Sequence, residues 1–116
     1  MQYLLLIYVS ESEEAKMNPA TLETVIGEYH SFTQSIIQSG QLKGGERLKP
    51  VTTASTVRVR NGKTVITDGP FAETREQLGG YYMIEAKDQA EANAVAARIP
   101  GAKLGSVEVR PIWPMS

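Results

Sequence analysis

The chain of 116 residues has no cysteine. Disulfides, zinc–thiolate centres and thiol nucleophiles are therefore excluded. Histidine occurs once, as His30, so there is no HxH or HxxxH pair to hold zinc or iron, and no metal is expected. Neither sign of charge dominates, with 12 Lys and Arg against 13 Asp and Glu. That balance gives no whole-protein attraction to nucleic acid or to an anionic membrane surface. Long hydrophobic runs are missing too. The apolar run in MQYLLLIYVSESEE is far shorter than the roughly 18 residues a membrane span needs. No cation precedes it and no A-x-A site follows it, so it is not read as a signal peptide. A cytoplasmic location is the expectation, with neither membrane nor nucleic acid as partner. Gly79–Gly80 lacks the GxGxxG spacing, Gly44–Gly45 lacks the P-loop Lys–Ser/Thr, and no G-x-S-x-G elbow occurs. A nucleotide cofactor and a serine nucleophile are not expected, and the cofactor expectation is none.

What is present fits one domain over residues 1–116. Tyr3 to Val9 is apolar without alternation, the pattern of a strand covered on both faces. Residues 10–17 are polar and acidic and read as a loop. Asn18 and Pro19 form a helix start, as N-cap and N1. Leu22, Val25, Ile26, Tyr29, Phe32, Ile36 and Ile37 then recur at helical spacing up to Gly40, a C′ residue. Residues 41–50 suggest a short strand with an irregularity at Gly44–Gly45. Asn61–Gly62 between β-branched runs predicts a two-residue hairpin, with Arg60 opposite Lys63 and Arg58 opposite Val65. Arg58, Arg60 and Lys63 then share one face, a solvated basic edge, and Val57, Val59 and Ile66 the other. Residues 80–86 read as a strand. Asp88 and Glu91 resemble a capping box before a helix with Ala92, Val95, Ala96 and Ile99 on its stripe, stopped by Pro100–Gly101. Residues 106–112 close as a strand.

Without the hairpin the order is β-α-β-β-α-β, an α+β ferredoxin-like arrangement with both helices on one face of an antiparallel sheet. The first strand and Tyr81–Tyr82–Met83–Ile84 are apolar on both sides, so the other face would be a large apolar patch. A second copy packed sheet against sheet resolves this, and a homodimer is expected.

The stretch TDGPFAETREQLGGYY, residues 67–82, is long for a connection between strands. Asp68–Gly69–Pro70 reads as a turn or as part of a site wall, and Glu73 as the first turn of a short helix. Gly79–Gly80 lets a backbone come close to something. Tyr81 and Tyr82 alternate, so one faces the helices and the other the opposite side. His30 sits at the border of the helical stripe. It reads either as a half-buried packing residue or as a general base, whose ordinary pKa suits proton transfer near neutrality.

DGPFAETREQLGGYYMIE resembles the signature of the YCII-related proteins, in the branch called the DGPF family. MQYLLLIYVS, TTASTVRVRNGKTVITDGPF and GSVEVRPIW are similar to that branch as well, so the resemblance covers nearly the whole chain. It implies a dimeric α/β-barrel in which ferredoxin-like subunits pack sheet against sheet. The wider family includes enzymes with a His–Asp pair, fold relatives act on small lactones and aromatic compounds, and some members are encoded beside sigma factors. His30 falls at the position of the family's histidine in the first helix. The aspartate that other branches carry before a proline is replaced here by Arg98–Ile99–Pro100, which leaves Asp68 as the candidate acid. The implied function is a cofactor-independent lyase or isomerase acting on a small organic molecule. His30 would be its base and Asp68 its acid or orienting group. Phe71, Glu73, Arg75, Tyr81 and Tyr82 would bind ligand, with Arg75 on an anionic group. The alternative is a small-ligand-binding or regulatory module linked to a sigma-factor system. In either case residues 67–82 are expected to wall a cleft with His30 in its floor.

Overall fold

The computed structural model describes residues 1–114. Strand β1 (Gln2–Val9) lies inside a four-stranded sheet of order β2-β5-β1-β6, with β2 (Leu42–Arg47), β5 (Gln77–Glu85) and β6 (Ser106–Pro111). All three pairings are antiparallel. An interior strand needs apolar side chains on both sides more than an edge strand does, and this accounts for the unbroken run Tyr3–Val9. The register puts Leu5 opposite Tyr82 and Val109, and Ile7 opposite Gly80 and Val107. These residues share one face. Helices α2 (Pro19–Gln38) and α3 (Gln89–Ala97) cover it. Tyr3, Leu5 and Ile84 are packed there with Phe32 and Ile36 of α2, Ala92 and Val95 of α3, and Ile99. Each such aliphatic side chain, fully buried, contributes about 1.5–3 kcal/mol. Strand order and one-sided helices together are the ferredoxin-like α+β arrangement expected.

The helix ends follow the capping chemistry of the sequence. The Asn18 side chain accepts from the Thr21 N–H at 2.8 Å, and Gly40 closes α2 with φ 76°. The Asp88 carboxylate accepts from the Glu91 N–H at 2.9 Å. Three expectations need correction. Residues 10–17 are not all loop: Ser10 accepts from the Glu13 N–H at 3.2 Å and starts helix α1 (Glu11–Ala15). Glu11, Glu13 and Glu14 lie in its first turn, where carboxylates meet unpaired N–H groups. The second helical region is broken, because Pro100 follows α3 and a separate turn, α4 (Gly101–Leu104), comes after it. Glu73 sits in no helix; it is exposed in the irregular connection before β5.

Strands β3 (Ser55–Arg60) and β4 (Lys63–Asp68) form a two-stranded sheet of their own. Asn61 and Gly62 both have positive φ, 52° and 73°, as a type I′ turn demands. Arg60 faces Lys63 and Arg58 faces Val65, as the dipeptide predicts. This arm is fastened at its base, where the Gly69 N–H donates to the Ala54 carbonyl at 2.7 Å and the Thr56 hydroxyl donates to the Gly69 carbonyl at 2.8 Å. The face of the main sheet away from the helices carries Leu4, Leu6, Tyr8, Tyr81 and Met83. The described residues form a body 18 Å thin, one sheet and one helical layer, and leave these side chains only partly buried.

Candidate active site

The apolar stripe of α2 does not meet the sheet evenly. In its second half Phe32 and Ile36 are buried, whereas Leu22 and Ile26 in the first half are 37% and 55% exposed. Below the first half the sheet presents backbone. Gly45 and Gly80 both belong to the helix-covered face, opposite Tyr82 and Ile7 respectively. A Cβ at Gly45 would lie 2.8 Å from the Tyr81 carbonyl oxygen, and one at Gly80 2.9 Å from that of Glu46. Close approach of β2 and β5 therefore requires glycine at both positions. The same glycines leave the floor without side chains, and a cavity of about 430 Å³ remains between sheet and helix.

Its walls are mostly apolar, from Ile7, Val9, Val25 and the rim residues Leu22, Leu48 and Leu104. Tyr29, Tyr82, Arg47, Glu11 and Glu14 bring polar groups to it. Tyr82 is fixed in place: its hydroxyl shares a 2.8 Å hydrogen bond with Thr33, and its ring stands edge-on to Phe32 at 5.2 Å. Glu11 accepts from the Val51 N–H at 3.0 Å and so ties α1 to the turn after β2. Burial pushes the Tyr29 phenol above its ordinary pKa, against the lowering effect of a hydrogen bond from the Gly101 backbone. The fields of Tyr82 and Glu14 raise it further, and that of Arg47 lowers it. Tyr29 is thus a neutral hydroxyl over the physiological range, a proton donor in a partly dry pocket. A Cβ at Gly101 would stand 2.6 Å from the Tyr29 oxygen, so a larger residue there would displace the phenol.

A second, wider groove runs over the helical layer past Ser31, Ser35, Arg98 and Lys103. Its cations are engaged. Arg98 stacks over the Phe32 ring at 5.5 Å and donates to Ser35, and Lys103 reaches Glu28 at 4.0 Å. Among the described residues no cluster of three or more His, Asp or Glu could hold a metal. No helix among them is long and apolar enough to cross a membrane.

The residues singled out in the sequence are divided by the structure. Tyr81 and Tyr82 border the cavity, Tyr82 with its ring on the helix-covered face and Tyr81 turned to the other by its register opposite Leu6. His30 follows Tyr29 on α2 but is exposed and lines neither concavity. Asp68 is exposed at the end of β4, opposite Ser55. No ion pair joins His30 to Asp68 among the described residues. Phe71 is 80% exposed, and Glu73 and Arg75 are exposed beside it, outside the cavity. Of residues 67–82, then, Gly79 to Tyr82 line the cavity and the preceding DGPF connection does not. Tyr29, Arg47, Glu11 and Glu14 were not singled out. Arg47 could have been, because it lies two residues beyond Gly45 and therefore on the same face. Ser10 with Glu13 three residues later is the start signal that would have put Glu11 and Glu14 on a helix.

Known proteins bear on the fold and the family. An uncharacterized protein of Rhizobium meliloti (strain 1021) is 37% identical over 114 residues, 97% of this chain and 92% of that protein. The structure of 5-chloro-2-hydroxyhydroquinone dehydrochlorinase (TftG) from Burkholderia phenoliruptrix AC1100, in complex with 2,5-dihydroxybenzoquinone, superposes with a TM-score of 0.50. That match covers 100% of this chain and 96% of the other at 14% identity, so it speaks to the fold, the dimeric α/β-barrel type. The profile of the YCII-related domain matches residues 1–116, and with it the chain belongs to the YCII-related family.

Proposed function

We propose that the protein is a small enzyme that takes an organic molecule about the size of one substituted ring into the cavity beneath α2. There it moves a proton without a cofactor, as a lyase or isomerase does. One observation carries the reading: a 430 Å³ apolar cavity, within the usual size range for small-molecule sites, lined by both a half-buried phenol and a guanidinium. In this mechanism the Tyr29 hydroxyl donates a proton to the substrate or stabilises a developing oxyanion by hydrogen bonding. Arg47 holds an anionic or enolic oxygen, and Glu14 accepts the proton removed. Tyr82, held by Thr33, shapes the wall. The apolar rim keeps water from the reacting bond. The quinone bound by the dehydrochlorinase suggests where a ligand panel should begin.

His30 and Asp68 form a rival assignment for the proton transfer, supported by the position of His30 directly after Tyr29 on α2. A panel of substituted phenols, hydroxyquinones and cyclic enones incubated in D2O separates the two. The expected outcome is deuterium entry into a panel member, slowed about 10²-fold or more in Tyr29→Phe and little changed in His30→Gln. The reverse order would move the chemistry to the histidine. No exchange, together with no ligand-induced shift at the Gly45 or Gly80 amides, would overturn the reading. We further infer that two copies pack through the open sheet face, on the support of its apolar side chains and of the fold type of the dehydrochlorinase.

A further inference from the structure

We propose that the β3–β4 arm is a clasp that closes on a second copy of this chain. The shape of the single chain supports this by magnitude. Its accessible surface is 8250 Å², whereas a compact monomer of this mass exposes about 6,200 Å². The excess, roughly 2,000 Å², is more than the roughly 800 Å² per partner of a standard interface and in the range of permanent pairs. The radius of gyration is 16.2 Å, against about 13 Å for a compact domain of this length. The molecule therefore has the dimensions of half an assembly.

All but one of the residues in the two arm strands are exposed. Val57, Val59 and Ile66 share one face by register and are 60%, 61% and 67% exposed. An isolated two-stranded hairpin is at best marginally stable in water, so an arm with a bare apolar face needs a cover. Its other face carries Arg58, Arg60 and Lys63, none of which has an ion-pair partner among the described residues. A second copy offers the complement. At the β2 edge of its sheet, beside the face that sheet pairing would cover, Glu46 points to the open side. Glu46 has no ion-pair partner among the described residues. With net charge near −1, two copies also approach without general repulsion. The clasp is distinct from pairing of the two sheets: either could exist without the other.

The arm side chains are solvent-exposed in the single chain, so Val59→Asp with Ile66→Asp removes no core residue. Sedimentation equilibrium from nanomolar to micromolar concentration is expected to show a dimer for the natural chain. Its dissociation constant should rise at least 10-fold in the double variant, with an unchanged circular-dichroism spectrum. Because the chain has no cysteine, Val57→Cys gives a single reporter, with Ser39→Cys at the exposed end of α2 as control. Maleimide should label Cys at position 57 slowly when the dimer is formed and at the control rate after dilution. An unchanged dissociation constant with control-rate labelling at every concentration would overturn the clasp while leaving sheet pairing intact. A monomeric natural chain would overturn it as well. So would a monomer that binds phosphatidylserine vesicles through the arm and loses them in the double variant, since the partner would then be a membrane.

Discussion

Tyr29 belongs to the apolar stripe by its spacing and to the cavity by its hydroxyl. A stripe alone cannot tell these apart, because a tyrosine at a core position packs the same ring whether its oxygen meets protein or a void. The distinction came from Gly45 and Gly80, which remove the side chains beneath the helix. Its titration is a direct check. The folded pKa is raised, chiefly by burial. As pH climbs through about 10, the ordinary tyrosine value, the unfolded chain gives up this proton first. The folded state then holds more protons, so stability falls with rising pH across the window from about 10 to the folded pKa, and is unaffected below it. Tyr29→Phe should flatten that part of the alkaline decline, measured as urea midpoints between about pH 9 and 12. Parallel curves for the two proteins would show that the phenol is not held in its neutral form. His30 is the converse case. A border position on the helical wheel suggested a cleft, yet the helix turns it to solvent, off the line on which Phe32 and Ile36 are buried.

Elements were legible wherever a local chemical signal fixed them. Asn18–Pro19, Gly40, Asp88 and Asn61–Gly62 each demand one backbone geometry, and each is found in it. Helix α1 escaped notice because five residues are too few to show a period, although Ser10 marks its start. Strand β5 begins at Gln77 and not at Gly80, because Gln77 and Leu78 pair with Val9 and Tyr8 after a register shift. That pairing is tertiary and leaves no local trace. The cavity itself was only half legible: the Gly–Gly pairs signalled close backbone approach, but not that a helix would span above them. The arm allows a test at this scale. A valine at position 62 would have to adopt the left-handed region at a cost of about 1–2 kcal/mol. The arm pairs with no strand of the main sheet, so the cost should be local. Gly62→Val should speed amide exchange in residues 55–68 about 10-fold and leave the Leu5 and Ile84 amides as they were. Equal effects in arm and core would mean that the hairpin is part of the cooperative unit.

For the whole molecule the question is how a chain 18 Å thin maintains an apolar sheet face. Alternation along β1 puts Tyr3, Leu5 and Ile7 under the helices and leaves Leu4, Leu6 and Tyr8 on the other side. Helix-covered positions are below 10% exposed, whereas those on the open side are only half-buried in one copy. Folding of one chain therefore removes only part of the apolar surface from water, and association would remove the rest. With such pairing, folding and association are linked by mass action, so the melting temperature is expected to depend on concentration. A 100-fold rise in concentration adds about 2.7 kcal/mol per dimer, or about 1.4 kcal/mol per chain. At this chain length that corresponds to a rise of about 5 °C in melting temperature. Leu6→Asp puts a carboxylate in the middle of the open face without touching the helix-covered core. It should melt at a lower temperature that is the same from about 1 to 100 µM. Calorimetry at several concentrations distinguishes the cases. A natural chain whose melting temperature is flat across the range, with the mass of one chain by light scattering, would show that the open face stays wet and that Leu6 is half-covered by its own neighbours alone.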